Sequence, residues 1–216
     1  MKKNLTELVL ILDRSGSMCG LVSDTIGGFN SMLEKQKKVA GAALVSTVIF
    51  DDVSEVIHDR MDIKAIEPLT ENEYYVRGGT ALLDAVGYGI RHIGNIHKYC
   101  RDEDRPENTL FVITTDGMEN ASTHFHYEDI KRLIEKQKSK HGWEFIFLGA
   151  NIDAAAEARR YGISQDRVSN FHADAAGMAL NFEVVCESVK DLRVDKQMRV
   201  DWNAKIDEDF KTRGKK

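Results

Sequence analysis

Five oxygen-bearing residues in three separate segments could together bind a metal ion. The first segment, DRSGS, contains Asp13, Ser15 and Ser17 directly after an apolar run. The second, RGGT, contains Thr80, and the third, TTDG, contains Asp116. Carboxylate and hydroxyl oxygens are hard ligands that suit Mg²⁺, Mn²⁺ or Ca²⁺ better than Zn²⁺ or copper. Two carboxylates balance one divalent ion, and the neutral hydroxyls would add coordination without further charge.

The alternation of elements predicts the fold that positions these residues. Short apolar runs separated by longer helical patterns are typical of a doubly wound, mostly parallel sheet with helices on both faces. The predicted strands are 5–12, 43–50, 53–57, 109–115, 143–148 and 167–171, and the predicted helices are 24–38, 81–99, 127–139, 153–161 and 174–194. The second and third strands are too close in sequence for a crossover, so the third is predicted to be one antiparallel edge strand.

This α/β fold would bring the five residues to one edge of the sheet. In doubly wound sheets, ligands bind at the carboxyl ends of strands where the winding direction reverses. Asp13 follows the first predicted strand, and Asp116 follows the strand at 109–115. The pair Gly78-Gly79 gives Thr80 a flexible approach before a helix. The sequence therefore predicts a single site.

The five residues resemble the metal-ion-dependent adhesion site of von Willebrand factor type A domains. Asp13, Ser15, Ser17, Thr80 and Asp116 match its pattern in family order, and the resemblance covers roughly residues 5 to 172. It implies that the two serines bind Mg²⁺ directly, Thr80 directly or through water, and the two aspartates mainly through water. It also implies that an Asp or Glu of a protein partner completes the coordination, without catalysis. The chain looks most like the compact stand-alone versions found in bacteria and their phages.

A Mg²⁺-dependent phosphoaspartate hydrolase is the main alternative, with Asp13 as the nucleophile. Such enzymes usually have a second aspartate two residues later, where this chain has Ser15. The sequence also offers no convincing catalytic lysine. A third alternative is an interaction protein whose site has lost its metal, and the complete set of five residues argues against it.

Composition limits the partners and the compartment. The 216 residues have a formal net charge of −5, which argues against nucleic acid and against an anionic membrane surface as partners. No apolar segment approaches the ~18 to 20 residues of a membrane span. The three cysteines are odd in number and far apart, so we expect no disulfide or zinc framework and a cytoplasmic location.

We expect residues 1–194 to form one von Willebrand factor type A domain that includes a closing helix. Residues 195–216 would be a charged, partly helical extension. Met198, Trp202, Ile206 and Phe210 recur every four residues there, which predicts one apolar helix face. Docking of this face on its own chain is favoured over an exposed patch for a partner.

Charged residues near the predicted site are expected to lie at the surface. Arg14 and Glu119 are expected to be solvent-exposed residues at its rim, where they would help to select a partner. Asp51 and Asp52 are expected to form a solvated hairpin turn. His124 and His126 could bind a softer metal in principle, but a surface loop is favoured.

Overall fold

The computed structural model describes residues 1–214, which form a six-stranded sheet between two layers of helices. The strands are β1 (Lys2–Asp13), β2 (Ala42–Phe50), β3 (Ser54–Asp62), β4 (Pro106–Thr115), β5 (Glu144–Gly149) and β6 (Val168–Asn170). The helices are α1 (Val22–Lys37), α2 (Leu82–Tyr99), α3 (Tyr127–His141), α4 (Ala154–Arg160), α5 (Ala175–Val194) and α6 (Ala204–Arg213).

The strand order is β3-β2-β1-β4-β5-β6. All neighbouring pairs are parallel except β2 and β3, which form the antiparallel edge that the short connection predicts. The predicted fold class is therefore confirmed. The winding reverses between β1 and β4, so the ends of these two strands mark the place where a ligand is expected.

Strand β1 shows why the sheet is covered on both sides. Leu8, Leu10 and Leu12 belong to one core, and Val9 and Ile11 belong to the other. Because successive side chains of a strand point to opposite faces, a continuous apolar run indicates two buried faces. Helices α1, α5 and α6 contribute to the first core, and α2, α3 and α4 contribute to the second.

The C-terminal segment packs on the chain, as expected, but not as one continuous helix. The helix α6 begins only at Ala204, so Met198 and Trp202 lie in the turns that precede it. Met198, Trp202 and Ile206 are buried, whereas Phe210 is exposed at its edge. The last two residues of the predicted extension, 215 and 216, lie outside the described residues.

Within residues 1–214, no helix is both long and apolar enough to cross a membrane.

Candidate metal site

The carboxyl ends of β1 and β4 place Asp13 and Asp116 at neighbouring positions of the sheet edge. Asp13 is the last residue of β1, and Asp116 directly follows β4. Ser15 and Ser17 lie at the start of a short 3₁₀ turn after β1, and Thr80 lies just before α2. Four of the five residues are buried, whereas Ser17 is exposed and opens the site to solvent.

Both carboxylate oxygens of Asp13 accept hydrogen bonds that fix the side chain. The Ser15 amide donates to Oδ1 at 2.7 Å, and the Thr115 hydroxyl donates to Oδ2 at 2.6 Å. The phenol of Tyr74, which is fully buried, donates to the backbone carbonyl of Asp13. These contacts hold the first loop in place before any ligand binds.

The hydroxyl groups of the first two segments meet beside Gly117, which directly follows Asp116. Ser15 Oγ and Ser17 Oγ lie 3.0 Å apart. A methyl group added at Gly117 would lie 3.3 Å from Ser17 Oγ and 3.4 Å from Thr80 Oγ1. The two oxygens therefore face one small space, which the glycine leaves free.

Backbone hydrogen bonds join the first loop to the loop that precedes α2. The Gly16 amide donates to the Gly78 carbonyl at 3.2 Å, and the Arg77 amide donates to the Arg14 carbonyl at 3.0 Å. The Thr80 amide donates to Asn120 Oδ1 at 2.8 Å, and the Asn120 amide donates back to the Thr80 carbonyl at 3.1 Å. Three segments distant in sequence are thus locked into one arrangement.

The two glycines before Thr80 are required by this close approach. Gly78 has a φ of 65°, a conformation that favours glycine. A Cβ at Gly78 would lie 2.3 Å from Asp52 Oδ2, and one at Gly79 would lie 2.8 Å from Asn120 Oδ1. The Gly79 amide uses this space to donate to Asp52 Oδ1 at 2.7 Å.

Burial leaves the two carboxylates with uncompensated negative charge. Desolvation raises the pKa of the Asp13 carboxyl. Desolvation also raises the pKa of Asp116, and the charge of Asp13 raises it further. Among residues 1–214, no lysine, arginine or histidine forms an ion pair with either carboxylate. A divalent cation would supply the missing charge.

Arg14, the basic residue nearest in sequence to Asp13, pairs with Asp51 and not with the two site carboxylates. Arg14 is fully buried, and its Nε lies 2.7 Å from Asp51 Oδ2. Arg77 Nε contacts the same oxygen at 2.7 Å. The prediction of an exposed Arg14 at the rim is therefore wrong, because the buried Asp51 attracts the guanidinium inward. The solvated turn is correct for Asp52 but wrong for Asp51, which is 1% exposed.

Glu119 is also not a free rim residue. Its half-buried carboxylate accepts hydrogen bonds from the amides of Leu83, Ala121 and Ser122 at 2.8, 3.0 and 2.7 Å. It therefore fastens the loop after β4 to the beginning of α2. His124 and His126 are exposed, in agreement with the surface-loop prediction.

Two supporting residues were not found from the sequence. Asn151 follows β5 and donates from its amide nitrogen to Asp116 Oδ1. Tyr74 belongs to the irregular connection between β3 and α2. The sequence signal for Asn151 is an asparagine just past a strand end, in GAN. The signal for Tyr74 is an aromatic pair within the polar run ENEYYVRGG.

The donor set suits a hard cation. Within residues 1–214, no group of three His, Cys, Asp or Glu side chains is placed to hold a metal ion. Binding would therefore depend on hydroxyl groups together with two carboxylates, which is oxygen chemistry of the kind that Mg²⁺ and Mn²⁺ accept.

Comparison with known proteins identifies the fold. No protein-family model matches the sequence, and no curated protein matches it either. Solved structures do match, and they show that the chain has the fold of von Willebrand factor type A domains. One is a von Willebrand factor type A protein from Catenulispora acidiphila, with a TM-score of 0.59 and 17% identity over 86% of this chain and 42% of that one.

Two further matches are structures of proteins with a bound metal. Proximal thread matrix protein 1 from the mussel byssus, with a zinc-occupied MIDAS motif, has a TM-score of 0.59 and 15% identity over 86% of this chain and 46% of that one. The manganese-loaded TRAP protein of Plasmodium vivax has a TM-score of 0.59 and 16% identity over 83% of this chain and 72% of that one. The chain thus spans less than half of the mussel and Catenulispora chains.

Proposed function

We propose that this protein is a divalent-metal-dependent protein-binding module. Asp13, Ser15, Ser17, Thr80 and Asp116 would hold the ion, with Mg²⁺ as the resident metal. The observation that supports this most is the pair of buried carboxylates, 1% and 5% exposed, with no basic partner among residues 1–214. Burying such charge without compensation is costly, and a divalent cation would offset that cost.

The ion would give the site its chemistry, which is to accept an oxygen ligand from outside. Neutral serine and threonine hydroxyls leave a bound cation with positive charge to share. Because Ser17 and the space beside Gly117 are open to solvent, an Asp or Glu side chain of a protein partner could reach it. The zinc- and manganese-bound neighbours of the same fold support a divalent metal in general.

The residues around the site would orient the two carboxylates and would not take part in a reaction. Ser15 and Thr115 hold the Asp13 carboxylate, and Asn151 holds that of Asp116. Ser15 stands where a phosphoaspartate enzyme usually has its second aspartate, which disfavours Asp13 as the nucleophile of such an enzyme. We therefore propose a binding protein and no hydrolase. The free thiols of Cys19, Cys100 and Cys186 support a reducing compartment such as the cytoplasm.

Partner capture tests the proposal. The immobilised natural protein is exposed to lysate once in Mg²⁺ and once in chelator. The immobilised Asp13→Asn variant is exposed to the same lysate in Mg²⁺. We expect one partner that is retained in Mg²⁺ alone, and whose binding is lost when its critical Asp or Glu becomes Asn or Gln. Retention that is equal under all three conditions would contradict the metal bridge.

The hydrolase alternative has a separate test. We expect no turnover of phosphate esters with Mg²⁺ present. Turnover that Asp13→Asn abolishes would replace the binding proposal with the enzyme.

A further inference from the structure

A cavity of about 510 Å³ lies between the C-terminal halves of α2 and α3. It is far from the candidate metal site, because Arg105 at its wall precedes β4 whereas Asp116 follows the other end of that strand. We call it the basic cavity. Its wall contains no acidic side chain and five permanently charged ones, namely Arg91, Lys98, Arg105, Lys136 and Lys140.

The positive charge of the basic cavity is largely uncompensated. Lys98, Lys136 and Lys140 are exposed and form no ion pair within residues 1–214. Arg105 pairs at 3.0 Å with Asp102, whose side chain is 86% exposed. The whole chain has a net charge of −5, so this concentration of positive charge runs against its average.

The positive charges of the wall affect the pKa of a histidine in the same wall. Desolvation lowers the pKa of the His141 imidazole, and the positive charges of Arg105 and Lys140 lower it further. The basic cavity is therefore a region of positive potential that would attract an anion.

Stabilisation of helix ends accounts for part of this charge. Lys98 and Lys140 lie in the last turns of α2 and α3, where a cation interacts favourably with the helix dipole. That explanation does not cover Arg91, which lies within α2, or Arg105, which lies in the loop before β4. Arg91 instead lies over the Phe125 ring, 4.3 Å from its centroid, and Arg105 donates to the His97 carbonyl at 3.0 Å. Both arginines therefore have partners within the chain, whereas the three lysines form no ion pair within the described residues.

A buried amide gives a second, independent indication of a ligand. Gln137 lines the basic cavity, is 8% exposed, and has an amide oxygen without a hydrogen-bond partner in the described part of the chain. An unpaired buried acceptor costs about 1–3 kcal/mol. The oxygen itself is shielded from solvent, so the terminal amide of Gln137 would have to turn before a hydroxyl or amino group of a bound molecule could satisfy it.

We propose that the basic cavity binds a phosphate-bearing small molecule of nucleotide size. Lys136, Lys140 and Arg105 would bind the phosphates, and Gln137 would accept a hydrogen bond from the rest of the molecule. Its volume falls in the range of roughly 300–1,000 Å³ that is usual for small-molecule sites. Arginine and lysine are the usual phosphate ligands in proteins. The proposal is independent of the proposed function of the metal site.

Calorimetry with ATP and with pyrophosphate tests this, in excess chelator so that the metal site cannot bind the phosphates through an ion. The double variant Lys136→Gln, Lys140→Gln should bind ATP and pyrophosphate with an affinity lower by about tenfold or more. The matched control Lys131→Gln, Lys138→Gln removes two charges from the same helix outside the wall, and should change the affinity by less than about twofold. Gln137→Met should lower the affinity for ATP but not the affinity for pyrophosphate.

Three results would overturn the proposal. The first is that neither probe binds at about 1 mM. The second is that the two double variants weaken binding equally, since that would indicate general charge attraction. The third is that a single-stranded oligonucleotide binds where ATP and pyrophosphate do not. Thermal melts of each variant exclude loss of the fold as a cause.

Discussion

Arg14 follows Asp13 directly in the chain, yet its guanidinium turns to Asp51, with Nε 2.7 Å from Oδ2. The contact joins the loop after β1 to the loop between β2 and β3. It also removes the basic side chain that would otherwise be nearest to the Asp13 carboxylate. One ion pair therefore fixes the loop and leaves the candidate metal site negatively charged.

Replacing Arg14 tests the structural part of this relationship. Arg14→Met should lower the free energy of unfolding by about 3 kcal/mol, because removal of one partner leaves a buried carboxylate less well compensated. Denaturant unfolding would measure the change. Arg77→Met is the matched control, since Arg77 contacts the same oxygen from an exposed position and should matter less. Equal losses in the two variants would contradict the role assigned to burial.

Tyr74 is predicted to hold the first loop through its phenol. Tyr74→Phe keeps the ring in the core but leaves the buried Asp13 carbonyl without its donor, at a cost of about 1–3 kcal/mol. Divalent-ion affinity should fall as well, because the loop loses a constraint. Tyr75→Phe removes a phenol from the exposed neighbour and should change neither property. Thermal melts and calorimetry would detect both effects.

The raised pKa values of Asp13 and Asp116 predict how stability depends on pH without metal. A carboxyl whose pKa rises on folding favours the folded state when it is protonated. Its contribution is present below the ordinary value of 3.8 and is lost as the pH rises through the raised pKa. In chelator, Asp13→Asn should therefore gain stability relative to the natural protein as the pH rises from 3.8 through the raised pKa of Asp13.

Thermal melts across that range would test the sign. Asp201→Asn, which changes an exposed carboxylate in the turn before α6, should show no such trend. A relative stability of Asp13→Asn that falls as the pH rises would contradict the prediction. With Mg²⁺ present, the natural protein should recover its stability at pH 7 and recover less of it at low pH, where protons compete with the ion.

The C-terminal segment is predicted to contribute to stability through Trp202. Its ring is buried, and its indole nitrogen donates to the Asp166 carbonyl at 2.7 Å. Trp202→Ala should cost about 3–5 kcal/mol, as for other large side chains removed from a core. Phe210→Ala, at an exposed position of α6, should cost clearly less. An unchanged melting temperature for Trp202→Ala would show that the segment is not docked in solution.

The sequence predicted the fold well because its signals are local. Apolar runs such as 8–12 are continuous, since β1 is buried on both faces. The short connection between β2 and β3 allows only an antiparallel pair. The candidate site could be predicted for the same reason, since Asp13 ends one buried strand and Asp116 directly follows another.

The supporting contacts could not be predicted because they depend on distant partners. Arg14 is buried because Asp51, 37 residues later, lies under the same edge. Tyr74 and Asn151 reach the site from a loop without periodicity and from the end of β5. The four-residue stripe from Met198 predicts a single helix, whereas an irregular segment precedes α6. Packing on the core buries Met198 and Trp202 there without helical geometry.

The central claim, that Asp13 and Asp116 bind a divalent ion, is tested most directly by calorimetric titration with Mg²⁺ and Mn²⁺. The proteins compared are the natural protein, Asp13→Asn, Asp116→Asn and the control Asp59→Asn. The account predicts one binding site per chain in the natural protein and in Asp59→Asn. It predicts at least a tenfold loss of affinity, about 1.4 kcal/mol, in each site variant, with the folded state retained. Unchanged affinity in both Asp13→Asn and Asp116→Asn, or no binding to the natural protein, would contradict it.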